Sequence, residues 1–345
     1  MDTYVFGRDN AVCDTLKSAC GTKNRYFFCT DSPLEHTFRF GDVVIIISDN
    51  RKFIVETHDH LPPEVPLLLI NKGCNIFDLA DLENIAFFSP DETSFNLRTC
   101  LMKLEEEMNQ YIILGNIIIG NSPEMCRLRR RIISASGSSL PVHLSGRTGT
   151  GKTYSARAIH RLSSRKGKEL VYLNAASLNS SLSDSDLFGH SKGAYTSAGT
   201  QRDGLLACAH ESTFLIDEVE NLTHDNQAKL LDTLEDGRYR KLGKDSFSLS
   251  SFRLITVSQK SQEQLLEEKI LRPDFYQRIA SHTIEIPPLS EHAEDIPLLV
   301  EKYRNDKKIP SSYLLDSEPL MERKWKGNVR ELFHYLDMVF LKLRH

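Results

Sequence analysis

Eight consecutive residues carry the clearest chemistry in the chain: Gly146-Arg147-Thr148-Gly149-Thr150-Gly151-Lys152-Thr153. They match the phosphate-loop pattern G-x-x-x-x-G-K-[ST]. Glycines let backbone N–H groups converge on phosphate oxygens, because no side chain blocks the approach. Lys152 supplies a positive charge for the β and γ phosphates, and the Thr153 hydroxyl can ligate Mg2+. A helix over Tyr154–Leu162 adds its positive N-terminal end. The alternative, a glycine-rich turn without a ligand, is disfavoured by the apolar strand before the loop and the helix after it. Farther along stands Thr213-Phe214-Leu215-Ile216-Asp217-Glu218. An apolar strand ending in two acids places carboxylates at the edge of a parallel sheet, where ligands bind. Asp217 would hold Mg2+, an oxygen-seeking ion that keeps part of its water shell. Glu218 would orient and polarise an attacking water. An apolar run followed by Asp-Glu is common by itself. Paired with the phosphate loop it predicts ATP or GTP hydrolysis, catalysed by positioning and charge neutralisation.

These residues need a parallel sheet to position them, and the pattern supplies one. Strand-like segments Pro141–Leu144, Leu170–Asn174, Thr213–Ile216, Phe252–Val257 and His282–Ile286 alternate with amphipathic helical stretches. That is the βαβ pattern of an α/β domain. After Pro287-Pro288 the strands stop. Ile296–Tyr303 and Val329–Leu343 read as helices, the last with Val329, Leu332, Phe333, Leu336, Val339, Phe340 and Leu343 on one face. Asn328 can cap that helix, with Glu331 three residues on completing a capping box.

The first part of the chain has its own pattern. Thr3–Phe6, Tyr26–Cys29, Val43–Ile47, Pro66–Ile70 and Ile85–Phe88 read as five largely apolar strands buried on both faces of a parallel sheet, with a helix across Asn10–Ala19. Leu97, Leu101, Leu104, Met108 and Tyr111 then follow a heptad spacing. They form either a short dimerising helix or the last helix of the first domain. The expected organisation is an α/β domain over 1–96, a helical linker over 97–116, a larger α/β domain over 117–288 and a small helical subdomain over 289–345.

Composition narrows the class. Of 345 residues, 43 are Lys or Arg and 47 are Asp or Glu, a formal charge of −4. Overall charge therefore does not provide affinity for nucleic acid or membrane. No apolar run approaches the ~18 residues of a membrane span, and the N-terminus shows no secretory signal. Seven cysteines, at 13, 20, 29, 74, 100, 126 and 208, show no C-x-x-C spacing. They fit reduced thiols in a cytoplasm rather than a zinc site or disulfide framework.

Over about 117–342 the sequence resembles the AAA+ ATPase module of the bacterial enhancer-binding proteins, which activate sigma-54 RNA polymerase. Ile119-Gly120-Asn121-Ser122 looks like the family's opening segment, which lines the adenine pocket. By the same resemblance Asn174 contacts the catalytic glutamate and senses nucleotide state. Leu271-Arg272-Pro273-Asp274-Phe275-Tyr276-Gln277-Arg278-Ile279 resembles F-R-x-D-L-Y-Y-R-L. This implies that Arg272 and Arg278 face the neighbouring subunit's ATP. Trp325-Lys326-Gly327-Asn328-Val329-Arg330-Glu331-Leu332 resembles W-P-G-N-V-R-E-L, with Arg330 the lid arginine on the phosphates. The most specific resemblance is Leu187-Phe188-Gly189-His190-Ser191-Lys192-Gly193-Ala194-Tyr195-Thr196-Ser197-Ala198, similar to L-F-G-H-x-K-G-A-F-T-G-A. It implies that Gly193, Ala194, Tyr195, Thr196, Ser197 and Ala198 form the loop that grips sigma-54. An exposed aromatic suits such a loop, because it offers contact area at low entropy cost.

The sequence also departs from that pattern. Tyr195 replaces Phe, and Ser197 replaces a Gly that enters φ > 0 freely. Val257-Ser258-Gln259 stands for Ala-Thr-Asn, which makes Gln259 a longer sensor amide. Ser290-Glu291-His292 stands for Arg-Glu-Arg, and Lys326 for Pro. Thirteen residues follow Leu332 (345 − 332 = 13), too few for a helix-turn-helix, so no direct sequence-specific DNA binding is expected. The alternative is a chain cut short of such a unit. The first domain resembles a receiver domain that has lost its chemistry. The acid, hydroxyl and lysine positions hold Gly7-Arg8-Asp9, Ile47-Ser48-Asp49, Asn71 and Ser89-Pro90, of which only Asp9 and Asp49 could serve. An unrelated α/β domain is the other reading.

The leading expectation is a Mg2+- and ATP-dependent homo-oligomeric ring, a hexamer or heptamer, that activates sigma-54 RNA polymerase from the cytoplasm. The alternatives are a nucleotide-switched binding protein that does not remodel sigma-54, or an AAA+ ATPase with a different client.

Overall fold

The computed structural model describes residues 2–6, 25–29, 43–47, 57, 61, 67–70, 85–88, 110, 113–178, 183–194, 200–310 and 315–342. The chain divides into two compact units, Met1–Ile113 and Leu114–His345. The division falls inside the segment expected to be a linker. The helix expected across Asn10–Ala19 and the heptad positions Leu97 to Tyr111 lie outside the described residues.

In the first unit, β1 (Asp2–Phe6), β2 (Arg25–Cys29), β3 (Val43–Ile47), β4 (Leu67–Ile70) and β5 (Ile85–Phe88) form one sheet in the order β2-β1-β3-β4-β5. Every pairing is parallel. This is the doubly wound order whose direction reverses between β1 and β3, where such sheets open a ligand crevice. Val5, Val44, Ile45 and Ile46 are buried. Consecutive buried residues on β3 explain its unbroken apolar run, since both faces of a parallel strand are covered. Asp9, Asp49, Asn71 and Ser89 lie outside the described residues.

The second unit is built on β6 (Val142–Ser145), β7 (Val171–Asn174), β10 (Thr213–Asp217), β13 (Arg253–Ser258) and β14 (His282–Glu285). The order is β14-β6-β13-β10-β7, parallel throughout. Alternate residues of β10 enter opposite cores, the period-two consequence of strand geometry. Phe214 and Ile216 join the core that holds Leu230, Phe275 and Ile279. Leu215 joins Ile132, Ala156 and Ile159 on the other face. Those cores are supplied by α1 (Pro123–Gly137), α2 (Lys152–Leu162), α5 (His224–Asp236) and α7 (Pro273–Ile279). Between β7 and β10 lie α3 (Ser183–Phe188), the short pair β8 (Gly189–His190) and β9 (Arg202–Asp203), and α4 (Leu205–Cys208); α6 (Gln262–Glu267) follows β13.

Two antiparallel strand pairs were not expected from the sequence, β8–β9 and a second that follows α5. β11 (Arg238–Arg240) and β12 (Phe247–Leu249) pair as an antiparallel hairpin. Tyr239 is buried but Phe247 and Leu249 are exposed, so a single buried aromatic is too little to mark these strands in the sequence. The hairpin connection meets the segment after β8: Ser191 N–H donates to Leu242 O at 3.0 Å.

A third core closes the chain. Leu289, Ile296, Leu299, Tyr303, Trp325, Leu332, Leu336 and Phe340 cluster between α8 (Ile296–Asp306), α9 (Glu318–Glu322) and α10 (Asn328–Lys342). Leu332, Leu336 and Phe340 are the buried part of the face expected on the last helix. No helix of the described residues is long and apolar enough to cross a membrane.

Candidate functional site

Strand order brings the distant motifs together. The phosphate loop leaves the C-terminal end of β6, and Asp217 and Glu218 leave the same end of β10. β13 lies between those two strands. Its last residue, Ser258, is in register with Ser145, so Gln259 emerges between loop and acids. On the other side of β10, Asn174 is in register with Asp217.

Within the loop, Gly149 has φ +78 and packs against the Gly327 carbonyl, where any side chain would collide. Thr150 Oγ1 donates to Arg147 O at 2.9 Å and tightens the turn. Gly151, at φ +98, starts α2 without a side-chain cap, and Lys152 and Thr153 form its first turn. The N–H groups of that turn and its dipole face the loop, the arrangement that receives anions. Lys152 Nζ donates to Gly146 O at 2.7 Å and to Arg147 O at 2.9 Å. Burial pulls its pKa below that of an ordinary lysine, Asp217 and Glu220 pull it back up, and Arg330 adds to the depression. A phosphate arriving here meets a desolvated ammonium held only by neutral carbonyls.

Thr153 Oγ1 donates to Asp217 Oδ2 at 2.9 Å, joining the two motifs directly. The Tyr172 hydroxyl reaches the same oxygen at 3.4 Å, and Glu218 N–H donates to Oδ1 at 3.0 Å. A hydroxyl and a carboxylate at this spacing are hard oxygen ligands of the type Mg2+ takes. The donor set therefore fits the ion.

Glu218 adopts a left-handed conformation, φ 54 and ψ 48. For a non-glycine residue this costs of order 1 kcal/mol, a cost met by surrounding structure. Its carboxylate is held by two amides: Gln259 Nε2 donates to Oε1 at 3.3 Å and Asn221 Nδ2 to Oε2 at 3.3 Å. Asn174 does something other than expected. Its side-chain oxygen accepts from Ala176 N at 2.8 Å, capping a short 3-10 turn. Among the described residues no hydrogen bond joins it to Glu218. Asn221, the residue that does bond Glu218, was not singled out in the sequence. An Asn three residues after an acid is too common a pattern to stand out.

The helical subdomain touches the loop. Asn328 was expected to cap α10 through its side chain. It sits instead at φ 53, accepts from Leu289 N at 2.9 Å through Oδ1 and donates to Thr148 O at 2.9 Å through Nδ2. Glu331 does reach back, accepting from Gly327 N at 2.7 Å. Arg330 presents its backbone N–H to Gly149 O at 3.3 Å, and its side chain is exposed beside the loop.

Ile119 packs against the core of the helical subdomain. Gly120 lies against Asp295, with no room for a side chain. Asp295 is 1% exposed and gathers Asn121 N–H at 2.6 Å, Ser122 N–H at 3.0 Å and Ser122 Oγ at 2.6 Å. His292 Nδ1 lies 3.3 Å away. Burial would raise the Asp295 pKa, but the contact from His292 and the bonds from Ser122 and Asn121 win and hold it below the usual aspartate value. Nothing in the sequence singles out this carboxylate among other acids, because its donors lie far away in the chain.

Arg272 and Arg278 lie at the two ends of α7. Arg272 makes a two-pronged pair with Asp274, at 3.1 and 2.6 Å. Arg278 donates to Leu234 O at 2.7 Å. Both side chains are solvent-accessible, and neither bonds to the loop or the acids of its own chain. Gly193 and Ala194 form a turn after β8, with Ala194 N–H donating to Ser191 O at 3.2 Å. Tyr195, Thr196, Ser197 and Ala198 lie outside the described residues.

Residues 118–285 match the family described as the sigma-54 interaction domain. The formate hydrogenlyase transcriptional activator of Salmonella typhimurium (strain SL1344) is 35% identical over 252 residues, 70% of this chain and 36% of that protein. The transcriptional regulator VasH of Vibrio cholerae serotype O1 is 34% identical over 256 residues, 72% of this chain and 48% of VasH. The anaerobic nitric oxide reductase transcription regulator NorR of Aeromonas hydrophila is 39% identical over 223 residues, 63% of this chain and 44% of NorR. The chain thus spans between about a third and a half of these relatives' length. Among solved structures, NtrX from Brucella abortus aligns with TM-score 0.59 and 21% identity, over 99% of this chain and 83% of that one. NtrX in complex with ATP aligns with TM-score 0.56 and 22% identity, over 96% and 81%. At that identity the likeness is one of fold.

Proposed function

We propose, since residues 118–285 match the family described as the sigma-54 interaction domain, that the chain is a Mg2+-dependent ATPase that drives sigma-54 RNA polymerase. The observation that carries the reading is the meeting of Lys152, the Thr153–Asp217 pair and the Glu218–Gln259 pair at one sheet edge. Thr153 and Asp217 would hold the ion, which when bound neutralises phosphate charge. Lys152 and the loop N–H groups of Gly146 to Gly151 bind and orient the triphosphate. Glu218, held by Asn221 and Gln259, takes the proton of an attacking water aligned with the γ phosphate. Ile119 and Gly120 border the base, and Arg330 approaches the phosphates from the helical side. Arg272 and Arg278 act on the ATP of a neighbouring copy in a ring, which their solvent-facing position supports. Asn174 remains a sensor candidate that must leave Ala176 to reach Glu218.

The segment from Gly193 to Ala198, which carries Tyr195 and Thr196, is the element that contacts sigma-54 in this reading. The experiment is to mix the protein with sigma-54 and a transition-state analogue of ATP, and to repeat it with Thr196→Ala. A complex trapped by wild type and lost in the variant is the expected result. ATPase activity without trapping points to a different client. Nucleotide binding without hydrolysis at any protein concentration points to the second reading, a nucleotide-switched binding protein. Ser197 in place of glycine and the longer Gln259 favour that alternative.

A further inference from the structure

We infer that Thr148 is a positioning residue that acts through Gln259: its hydroxyl holds the Gln259 amide oxygen and so keeps the nitrogen end seated on Glu218. The inference rests on the ATPase reading above and concerns how that site is kept in order. An amide side chain has one accepting oxygen and one donating nitrogen, and an ionised carboxylate only accepts. Glu218 therefore requires the nitrogen end. Gln259 presents it in a fixed place when a side chain of the protein, rather than exchanging water, holds its oxygen. Thr148 Oγ1 does so, donating to Gln259 Oε1 at 2.5 Å, while Gln259 Nε2 donates to Glu218 Oε1 at 3.3 Å. The reversed amide would set an oxygen against the carboxylate and leave Thr148 facing an NH2 group.

The backbone of Gln259 is pinned as well, so the side chain is the remaining freedom. Its N–H donates to Glu220 Oε1 at 3.0 Å. Glu220 thus anchors the residue while Thr148 orients it. Thr148 has a second attachment, because its carbonyl accepts from Asn328 Nδ2 at 2.9 Å. One residue of the phosphate loop therefore links the start of α10 to the residue that holds Glu218. A shift of the helical subdomain moves Thr148 and releases or tightens the Gln259 amide. Linked hydrogen bonds of this kind are measured as couplings rather than single contributions.

The test uses the full chain with Thr148→Val, Thr148→Ser, Gln259→Leu and the Val/Leu double variant. Steady-state hydrolysis is measured beside the equilibrium Kd for ATP. The expected result is a fall in kcat of roughly tenfold for Thr148→Val and for Gln259→Leu, the scale of one such hydrogen bond. Kd stays within about twofold, Thr148→Ser recovers the rate, and the double variant is no slower than the slower single. A second readout is independent of turnover. In protein labelled with nitrogen-15 glutamine, the Gln259 side-chain NH2 signals are identified by their loss in Gln259→Leu. They shift in Thr148→Val and return in Thr148→Ser. Loss of ATP binding in Thr148→Val, multiplied rate losses in the double variant, or unmoved Gln259 signals each overturn the inference. If wild type binds ATP without hydrolysing it, the ATPase reading fails and the amide signals alone decide this one.

Discussion

Thr153 and Asp217, separated by 64 positions in the chain, share a 2.9 Å hydrogen bond from Oγ1 to Oδ2. The bond fixes the distance between the turn that opens α2 and the end of β10, and so sets the width of the cleft a hydrated ion must fill. Asp217→Asn keeps the shape and removes the charge. Hydrolysis at saturating ATP should fall at least ~100-fold, the scale of losing a preorganised charged group at a reacting centre. A Mg2+ titration of the residual activity should shift to higher concentration. An unchanged Mg2+ requirement would show that the ion sits elsewhere.

Lys152→Ala removes the ammonium that now rests on the Gly146 and Arg147 carbonyls. Because those acceptors are neutral, the loop loses hydrogen bonds but no ion pair. Folding should survive, and affinity for ATP should drop by more than about tenfold, measured by equilibrium binding of a fluorescent analogue. Wild-type affinity in this variant would remove the lysine from the phosphate site.

Arg278→Ala should lower turnover without lowering ATP affinity, because Arg278 makes no contact with the loop or acids of its own chain. Charge supplied by a neighbour is worth about 10³–10⁵ in related phosphoryl transfers. Specific activity of wild type should accordingly rise with protein concentration. Full activity in a dilute monomer would exclude action on a neighbouring copy.

His143 gives the fold a pH dependence. It lies buried on β6, paired through Nδ1 with Thr256 Oγ1 at 2.9 Å, and burial lowers its pKa from 6.5 to about 4. The unfolded chain binds a proton near pH 6.5 that the folded chain refuses until about pH 4. Stability is therefore whole above about pH 6.5 and declines between that value and about pH 4. The slope approaches about 1.4 kcal/mol per pH unit inside that window. Urea midpoints measured across it should flatten in His143→Gln. An equally steep wild-type and variant profile would assign the effect to other groups.

Asp295→Ala leaves Asn121 N–H, Ser122 N–H and Ser122 Oγ without their shared acceptor in a buried place. Removing one partner from a buried charged cluster costs about 3–5 kcal/mol. The loss should appear in denaturant unfolding, together with weaker ATP binding, because the strut joins the segment at Ile119–Gly120 to the helical subdomain. Because bonding lowers its pKa, Asp295 stabilises the fold above the ordinary aspartate range, and that contribution fades as pH falls through its depressed value. A variant as stable as wild type would mean that water replaces the carboxylate.

Local chemistry was legible in the sequence, and partnership across the chain was not. The order of types in Gly146–Thr153 and the two acids closing an apolar strand specify phosphate and metal chemistry, because each is a short contiguous pattern. Ten strands could be placed within a residue or two, because short apolar runs alternate with helical stretches, although β7 and β14 at the sheet's edges are only part-buried. The hairpin Arg238–Leu249 escaped notice because its strands are three residues long and two of their apolar residues, Phe247 and Leu249, face solvent, leaving Tyr239 buried alone. Asn328 looks like a helix cap locally, yet its amide is spent on Leu289 and Thr148, residues that only folding brings near. Asn174 ends the expected strand but turns its oxygen to Ala176, while Asn221 and Gln259 hold Glu218. The sequence alone determined which groups are proposed to bind and cleave a triphosphate. The sheet order β14-β6-β13-β10-β7 decided which of them meet, because hydrogen bonds depend on ångström separations that strand neighbours, not chain neighbours, set.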